Sequence, residues 1–185
     1  VCPVCRGRRF NSDVLAVTLG GKSVADVLAM TVDEALALLD PPGRRDYVIA
    51  RTLQPVVDVG LGYLPLGQPL STLSGGEAQR LKLARALGEK AARTLFVLDE
   101  PSAGLHALDA AKVTAALARL ADDGASVLVV EHDLDIVAAS DWVIDLGPDA
   151  GPAGGHVVAQ GTPAAVARTK SRTGVALEAR GAAFR

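Results

Sequence analysis

Leu73-Ser74-Gly75-Gly76-Glu77-Ala78-Gln79 opens the segment that decides the fold, and Leu95-Phe96-Val97-Leu98-Asp99-Glu100-Pro101 closes it. At the first end Ser74, Gly75 and Gly76 have small side chains. The apolar positions that follow, Ala78, Leu81, Leu83, Ala84 and Leu87, recur at helical spacing. A Ser-Gly-Gly turn opening a helix presents bare backbone N–H groups and the positive end of the helix dipole, a setting that suits a phosphate. At the second end the apolar run, bounded by Arg93-Thr94 and Pro101, predicts a fully buried strand with two carboxylates at its C-terminal tip. Parallel sheets bind their ligands at such tips. Each motif alone has an ordinary account, a Gly-containing helix cap or a strand that happens to end in acids. In this order and spacing they point together to phosphate chemistry.

These residues resemble the ATP-binding cassette ATPases, with a signature loop, a Walker B strand and its acidic pair, and a later switch histidine. The wording is closer to one family. Cys2-Pro3-Val4-Cys5-Arg6-Gly7-Arg8-Arg9-Phe10-Asn11, Asp58-Val59-Gly60-Leu61-Gly62-Tyr63-Leu64, the long signature over residues 73–84, Gly104-Leu105-His106 and Ile144-Asp145-Leu146-Gly147-Pro148 resemble the C-terminal ATPase half of the UvrA family, the ATPase component of excinuclease ABC and the damage sensor of bacterial nucleotide excision repair. The likeness runs from Cys2 to about Thr173. It implies an α/β fold, a partial P-loop NTPase domain with a parallel-sheet core and a helical signature subdomain. It implies ATP and Mg²⁺ as cofactors, with Asp99 holding the metal, Glu100 as general base and His132 at the γ-phosphate. Leu73, Ser74, Gly75, Gly76, Glu77 and Gln79 form the signature that closes over the nucleotide. The implied partners are an upstream ATPase half of the same protein, a second copy in a homodimer, DNA and an excinuclease B-type protein.

Composition bounds these expectations. The 185 residues suit one ordinary domain, and 49% hydrophobic content can build a sizeable core. A net charge of −2 gives no sequence-wide basic field, so any DNA contact comes from a local patch. No apolar run approaches the roughly 20 residues of a membrane span, and no signal peptide opens the sequence. Two cysteines at the N-terminal end make no disulfide framework and fit a reducing cytoplasm. Val1 in place of a start methionine, inside a motif, is read as the mark of a fragment or truncated copy.

Cys2 and Cys5 have the spacing of half a four-cysteine zinc site. The family carries a second pair upstream, so Zn²⁺ is expected only if that pair is supplied; the other reading is a reduced, unoccupied thiol pair. Arg6, Arg8 and Arg9 read either as phosphate contacts or as a solvated basic end. Gly20-Gly21-Lys22-Ser23 invites a Walker A reading, but G-x-x-x-x-G-K-[ST] requires a glycine where Ala16 stands, and Lys22 is rejected as a nucleotide ligand. The sequence then holds signature, Walker B and switch elements without a P-loop, and the isolated chain is expected to be inactive.

Apolar spacing predicts two short helices over residues 24–39, with Thr31 a capping candidate, then a stop at Pro41-Pro42-Gly43. A helix over residues 47–59 is interrupted at Pro55, and residues 61–72 form a loop with at most a short strand. Beyond Glu100, Ser102-Ala103-Gly104-Leu105-His106 stands at the place of the cassette D-loop. His106 reads as a turn residue at a dimer seam, or as a ligand or base. Lys112 to Leu120 predicts a helix, Ser126 to Val130 a buried strand, and Glu131-His132-Asp133 stands at its tip. A lone histidine after a strand is ordinarily structural; its place one strand on from Asp99-Glu100 matches the family's switch histidine. A helix from Leu134, a strand over 142–146, a Gly/Pro/Ala loop over 147–155, a last strand over 156–160 and a short helix after Thr162-Pro163 follow. The expected divisions are residues 1–23 as a remnant of a zinc-binding module and linker, 24–90 as the helical signature subdomain, 91–168 as the ATPase core and 169–185 as a flexible tail.

Three functions stay open at this point: part of an ATPase that couples ATP binding and hydrolysis to damage recognition, a paralogue serving drug or antibiotic resistance, and a non-catalytic remnant. Ser102 and Ala103 stand where the family more often has two threonines.

Overall fold

The computed structural model describes residues 2, 3, 5, 7–39, 47–88, 93–148 and 154–181, so Arg6, the expected stop at Pro41-Pro42-Gly43 and residues 149–153 lie outside it. The chain divides into two compact units, Val1–Ala91 and Ala92–Arg185.

The first unit is helical. Helix α1 (Ser12–Ala16) leads to a hairpin of β1 (Thr18–Leu19) and β2 (Lys22–Ser23), which turns at Gly20 and Gly21, both with positive φ. Helices α2 (Val24–Ala29), α3 (Val32–Leu39) and α4 (Tyr47–Asp58) follow, then a 3-10 turn at Leu70–Thr72 and α5 (Gly75–Gly88). Pro55 lies inside α4, which runs through it, whereas the sequence predicted an interruption. A proline removes one helical N–H, and the buried ring of Pro55 keeps its packing. Two helix starts here are fixed by reciprocal capping. Ser23 and Asp26 form a box at α2, and Thr31 and Glu34 exchange backbone hydrogen bonds of 2.9 and 3.2 Å at α3. Val32, Ala35, Val59, Leu61, Leu64, Leu83 and Leu87 are buried and make the core. A side chain at Gly67 would stand 2.8 Å from the Leu28 carbonyl, so the loop from Gly60 to α5 passes tightly over α2.

In the second unit β3 (Leu95–Asp99) pairs in parallel with β4 (Ser126–Val130), Leu95 opposite Ser126 and Asp99 opposite Val130. The crossover is α6 (Ala107–Asp122), which packs against β4 and buries Val113, Ala116, Leu117 and Leu120. Parallel strands need such a crossover. Helix α7 (Leu134–Ala139), β5 (Val143–Gly147), β6 (His156–Gly161), α8 (Pro163–Val166) and α9 (Arg172–Arg180) complete the unit. Unlike the β3–β4 pair, β5 and β6 are antiparallel, with a bulge between Asp145 and Leu146.

Two expectations change here. The β3 strand is not fully buried: Leu98 is, but Leu95 and Val97 are each 63% exposed. On that face Leu128 and Val130 of β4 are exposed as well, because the described residues put a helix layer on one side of the pair only. The segment expected to be a flexible tail contains α9. Ser171 caps it, Thr173 donates to Asp145 at 2.9 Å, Arg180 pairs with Asp135 and Leu177 is fully buried. Local sequence hid this helix because its support comes from α7, α8 and β5.

Candidate functional site

The signature turn is built from bonds within a few residues. The 3-10 turn, with Thr72 Oγ1 donating to the Pro69 carbonyl at 2.7 Å, delivers a half-buried Leu73 and an exposed Ser74. The Ser74 N–H then donates to Glu77 Oε2 at 2.7 Å, and the Glu77 N–H donates to Ser74 Oγ at 3.2 Å. This capping box fixes the start of α5. Tyr63 closes it from outside, its hydroxyl donating to Glu77 Oε1 at 2.6 Å. The bonds from Tyr63 and then from the Ser74 amide and hydroxyl hold the Glu77 carboxyl below the usual carboxylate range. Burial first, and the bond to Glu77 second, push the Tyr63 phenol up.

Inside the box Ser74 Oγ accepts from the Glu77 N–H, and its hydroxyl lies beside the Glu77 carboxylate. The Gly75 and Gly76 amides belong to the first turn of α5, where N–H groups have no intrahelical partner. A side chain added at Gly75 would meet nothing within 4 Å, so the space in front of the turn is open to a ligand. Gln79 is half-buried one turn further on. A mainly apolar cavity of about 780 Å³ between α4 and α5 reaches the signature at Leu73 and Ala78; Val48, Pro55 and Leu81 line it, with Arg51, Lys82 and Arg85 also in its wall.

The second cluster sits at the C-terminal tips of β3 and β4. Asp99 ends β3 and is exposed. Glu100 follows with φ 45°, in the left-handed region that a side chain disfavours. Its N–H donates to the Val130 carbonyl at 2.8 Å and its carbonyl accepts from the Ala103 N–H at 3.0 Å. The backbone thus turns sharply and lifts the Glu100 carboxylate to the surface. His132, just beyond β4, brings Nδ1 to 3.6 Å from Glu100 Oε1; its side chain is 78% exposed and that of Glu100 54%. That distance is too long for a hydrogen bond. Both groups are therefore available to a ligand. The arrangement puts two sequence-adjacent carboxylates and an imidazole at the C-terminal tips of a parallel strand pair, the end at which such sheets bind their ligands.

The other expected residues fall elsewhere. Cys2 is exposed and Cys5 half-buried, both as thiols, and no group of three or more metal-ligating side chains gathers among the described residues. Lys22 lies in the β2 strand, and Ser23 spends its hydroxyl on Asp26 at 2.7 Å. His106 is the N-cap of α6, its Nδ1 accepting from the Leu108 N–H at 3.5 Å. Two residues were missed as site partners, Tyr63 and Glu131. A tyrosine in a Gly/Pro loop and an acid directly after an apolar strand were visible signals; their partners, Glu77 and Ser102, were not.

No family model matches the chain. Sequence comparison finds it 58% identical over 177 residues to UvrABC system protein A of Thermus thermophilus, covering 95% of this chain and 18% of that protein. It is 54% identical over 168 residues to UvrABC system protein A of Aquifex aeolicus, covering 90% and 18%. Among solved structures, the crystal structure of UvrA2 from Deinococcus radiodurans superposes with a TM-score of 0.82 at 50% identity, over 100% of this chain and 22% of that one. The chain spans 18% of the length of these two curated relatives. Among the described residues no helix is long and apolar enough to cross a membrane.

Proposed function

Because the chain belongs, over the stretch it spans, to the UvrABC system protein A family and has the α/β fold of the cassette ATPases, we propose that it supplies the signature of one composite ATP-hydrolysing site and the hydrolytic groups of another, each completed by an upstream ATPase half, in a protein that serves nucleotide excision repair. The observation that carries this reading is the left-handed Glu100, set between Asp99 and His132 at the tips of two parallel strands.

Bound Mg²⁺·ATP supplies the electrophilic terminal phosphoryl group and the cation that offsets its charge. Asp99 would hold that cation by its carboxylate. Glu100, exposed and next in sequence, accepts the proton of the attacking water. With Nδ1 of His132 toward Glu100, Nε2 is the ring nitrogen left for a phosphate oxygen, to which the imidazolium form donates. The Ser74 hydroxyl and the Gly75 and Gly76 amides donate to phosphate oxygens of a nucleotide held by an upstream ATPase half, and Glu77 keeps their turn in shape. Leu73 anchors the turn in the apolar cavity, and Gln79 stands ready beside the phosphate-facing end of α5. In the longer protein the cycle of closing and hydrolysis is coupled to DNA damage recognition, in a homodimer that hands the site to an excinuclease B-type partner.

The test is a titration of labelled ATP with Mg²⁺ against this chain, alone and mixed with the upstream segment that holds a P-loop. Binding and turnover in the mixture alone are expected. Tight binding to the chain by itself would overturn the split-site reading and return Lys22 to consideration.

A further inference from the structure

Glu131 has no part in the chemistry above, yet its carboxylate collects four hydrogen bonds. Its carboxylate is 2% exposed. Oε1 accepts from the Ser102 N–H at 2.9 Å and from Ser102 Oγ at 2.5 Å. Oε2 accepts from the His132 N–H at 2.9 Å and the Asp133 N–H at 3.1 Å. Burying a carboxylate is costly unless its lone pairs are met, and here four donors meet them. The donors come from two chain segments, since Ser102 is 29 residues from Glu131.

Those two segments carry the exposed groups of the site. Ser102 is two residues after Glu100, whose φ of 45° puts a non-glycine residue where the backbone does not rest unaided. Such a conformation persists only where its surroundings over-determine it. Two long-range anchors of this turn go to the end of β4: the Glu100 N–H to the Val130 carbonyl at 2.8 Å, and Ser102 to Glu131. The carboxylate that receives Ser102 also receives the backbone of His132. A shift of either segment therefore breaks bonds to the other.

We infer that Glu131 is a positioning residue that, through Ser102, holds the Glu100 carboxylate and the His132 imidazole at a fixed separation. This rests on the hydrolytic reading proposed above. Glu131 faces inward; its Oε2 stands 3.9 Å from His132 Nδ1, beyond hydrogen-bond distance, so its bonded hold on this residue runs through the His132 backbone N–H. Ser102 opens the Ser102-Ala103-Gly104-Leu105-His106 turn, so the clamp also ties that turn to the switch histidine.

Two measurements test it. The first needs no nucleotide. In this chain, amide hydrogen exchange of His132 and Asp133 is compared between wild type, Ser102→Ala and Ser102→Thr. Faster exchange at His132 and Asp133 in Ser102→Ala, and near-wild-type exchange in Ser102→Thr, which keeps the hydroxyl, are expected. Exchange that rises only at Ser102 and its neighbours overturns the coupling. The second uses the intact protein that carries this stretch. Glu131→Gln turns an amide NH₂ toward backbone donors, and kcat is expected to fall by about tenfold to a hundredfold with the ATP KM within about twofold. The Ser102→Ala and Glu131→Gln double variant is expected to be little worse than Glu131→Gln alone, because both remove one contact. A kcat that survives, a KM that rises in step, or losses that simply multiply overturns the inference. Should Glu131→Gln fail to fold, the Ser102→Ala and Ser102→Thr pair decides by the same kcat and KM criteria. Glu100→Gln separates the two levels: if it turns over ATP like wild type, the hydrolytic reading falls and this one with it. If Glu100→Gln is inactive while Glu131→Gln is not, only the positioning role falls.

Discussion

The signature turn and the Asp99–Glu100 turn both present groups to a ligand, but they hold their backbones in opposite ways. Ser74 and Glu77 satisfy each other within four consecutive residues, and Tyr63 adds one bond from the same unit. Helical geometry does the rest without strain. At the other turn Glu100 sits in the left-handed region, and its bonds reach to Val130 and, through Ser102, to Glu131. A relaxed turn keeps its shape when one bond is lost; a strained turn depends on each long-range bond that restrains it. Matched deletions are therefore expected to cost more at the strand tips than at the signature.

The largest effect is expected on turnover. Glu100→Gln in the intact protein removes the proton acceptor while keeping the shape of the side chain. General-base contributions imply a fall in kcat of about 10³-fold with nucleotide binding kept. Single-turnover hydrolysis measured beside ATP binding checks it, and a variant that hydrolyses normally would break the comparison, since the strained turn would then serve no chemistry. Next comes stability. Glu131→Ala strands the part-buried Ser102 and Asp133 donors and the more exposed His132 N–H, at a cost of about 2–4 kcal/mol. Urea unfolding of the chain should show that loss in the second unit.

Acid sharpens the same point. Burial works against the charge of Glu131, but the bonds from Ser102, Asp133 and His132 outweigh it and hold the carboxyl below its usual value of 4.5. A carboxyl with a lowered folded pKa contributes stability in full above its unfolded value, and loses it as pH falls through the folded one. The gap in stability between wild type and Glu131→Gln is therefore expected to be widest at neutral pH. It should narrow as pH drops below 4.5. A gap that stays constant into acid would mean that Glu131 acts by shape rather than by charge.

This contrast also explains what the sequence could tell. The helix start was legible because the small Ser74, Gly75 and Gly76 precede a helical apolar pattern, whereas the reciprocal bonds of Ser74 and Glu77 came only with the structure. The Asp99–Glu100 pair was legible because an apolar strand ends in acids, and His132 because a second strand ends beside it. The clamp was not legible: nothing local marks Ser102 as the partner of an acid 29 residues away. The half-open β3 surface and α9 escaped for the same reason. Leu95 and Val97 look core-bound in any sequence reading, and exposure is decided by which layer covers them. Arg172–Arg180 forms a helix because α7, α8 and β5 receive it.

At the relaxed turn the effects are smaller. Ser74→Ala removes the N-cap acceptor of α5 and should cost about 1 kcal/mol, since caps are worth roughly that and the helix remains otherwise packed. Thermal unfolding of this chain measures it. A Ser74→Ala loss equal to that of Glu131→Ala would erase the difference between the turns.

The smallest change is Tyr63→Phe, and it asks whether the outer bond to Glu77 matters once the box has formed. The phenol donates to Glu77 Oε1, while Oε2 already takes the Ser74 N–H. Removing the hydroxyl leaves Glu77 one exposed oxygen that water can serve, and the ring keeps its packing. Tyr63 is 53% exposed, so solvent screens the loss, and about 0.5 kcal/mol is expected. The Glu77 carboxyl should titrate higher in the variant, because its first restraint on the charged form is gone while the Ser74 bonds remain. Carboxyl NMR titration of Glu77 in both proteins reads that shift directly. If Glu77 does not move, the Ser74 contacts alone set its charge, and the signature turn is even more locally determined than the comparison requires.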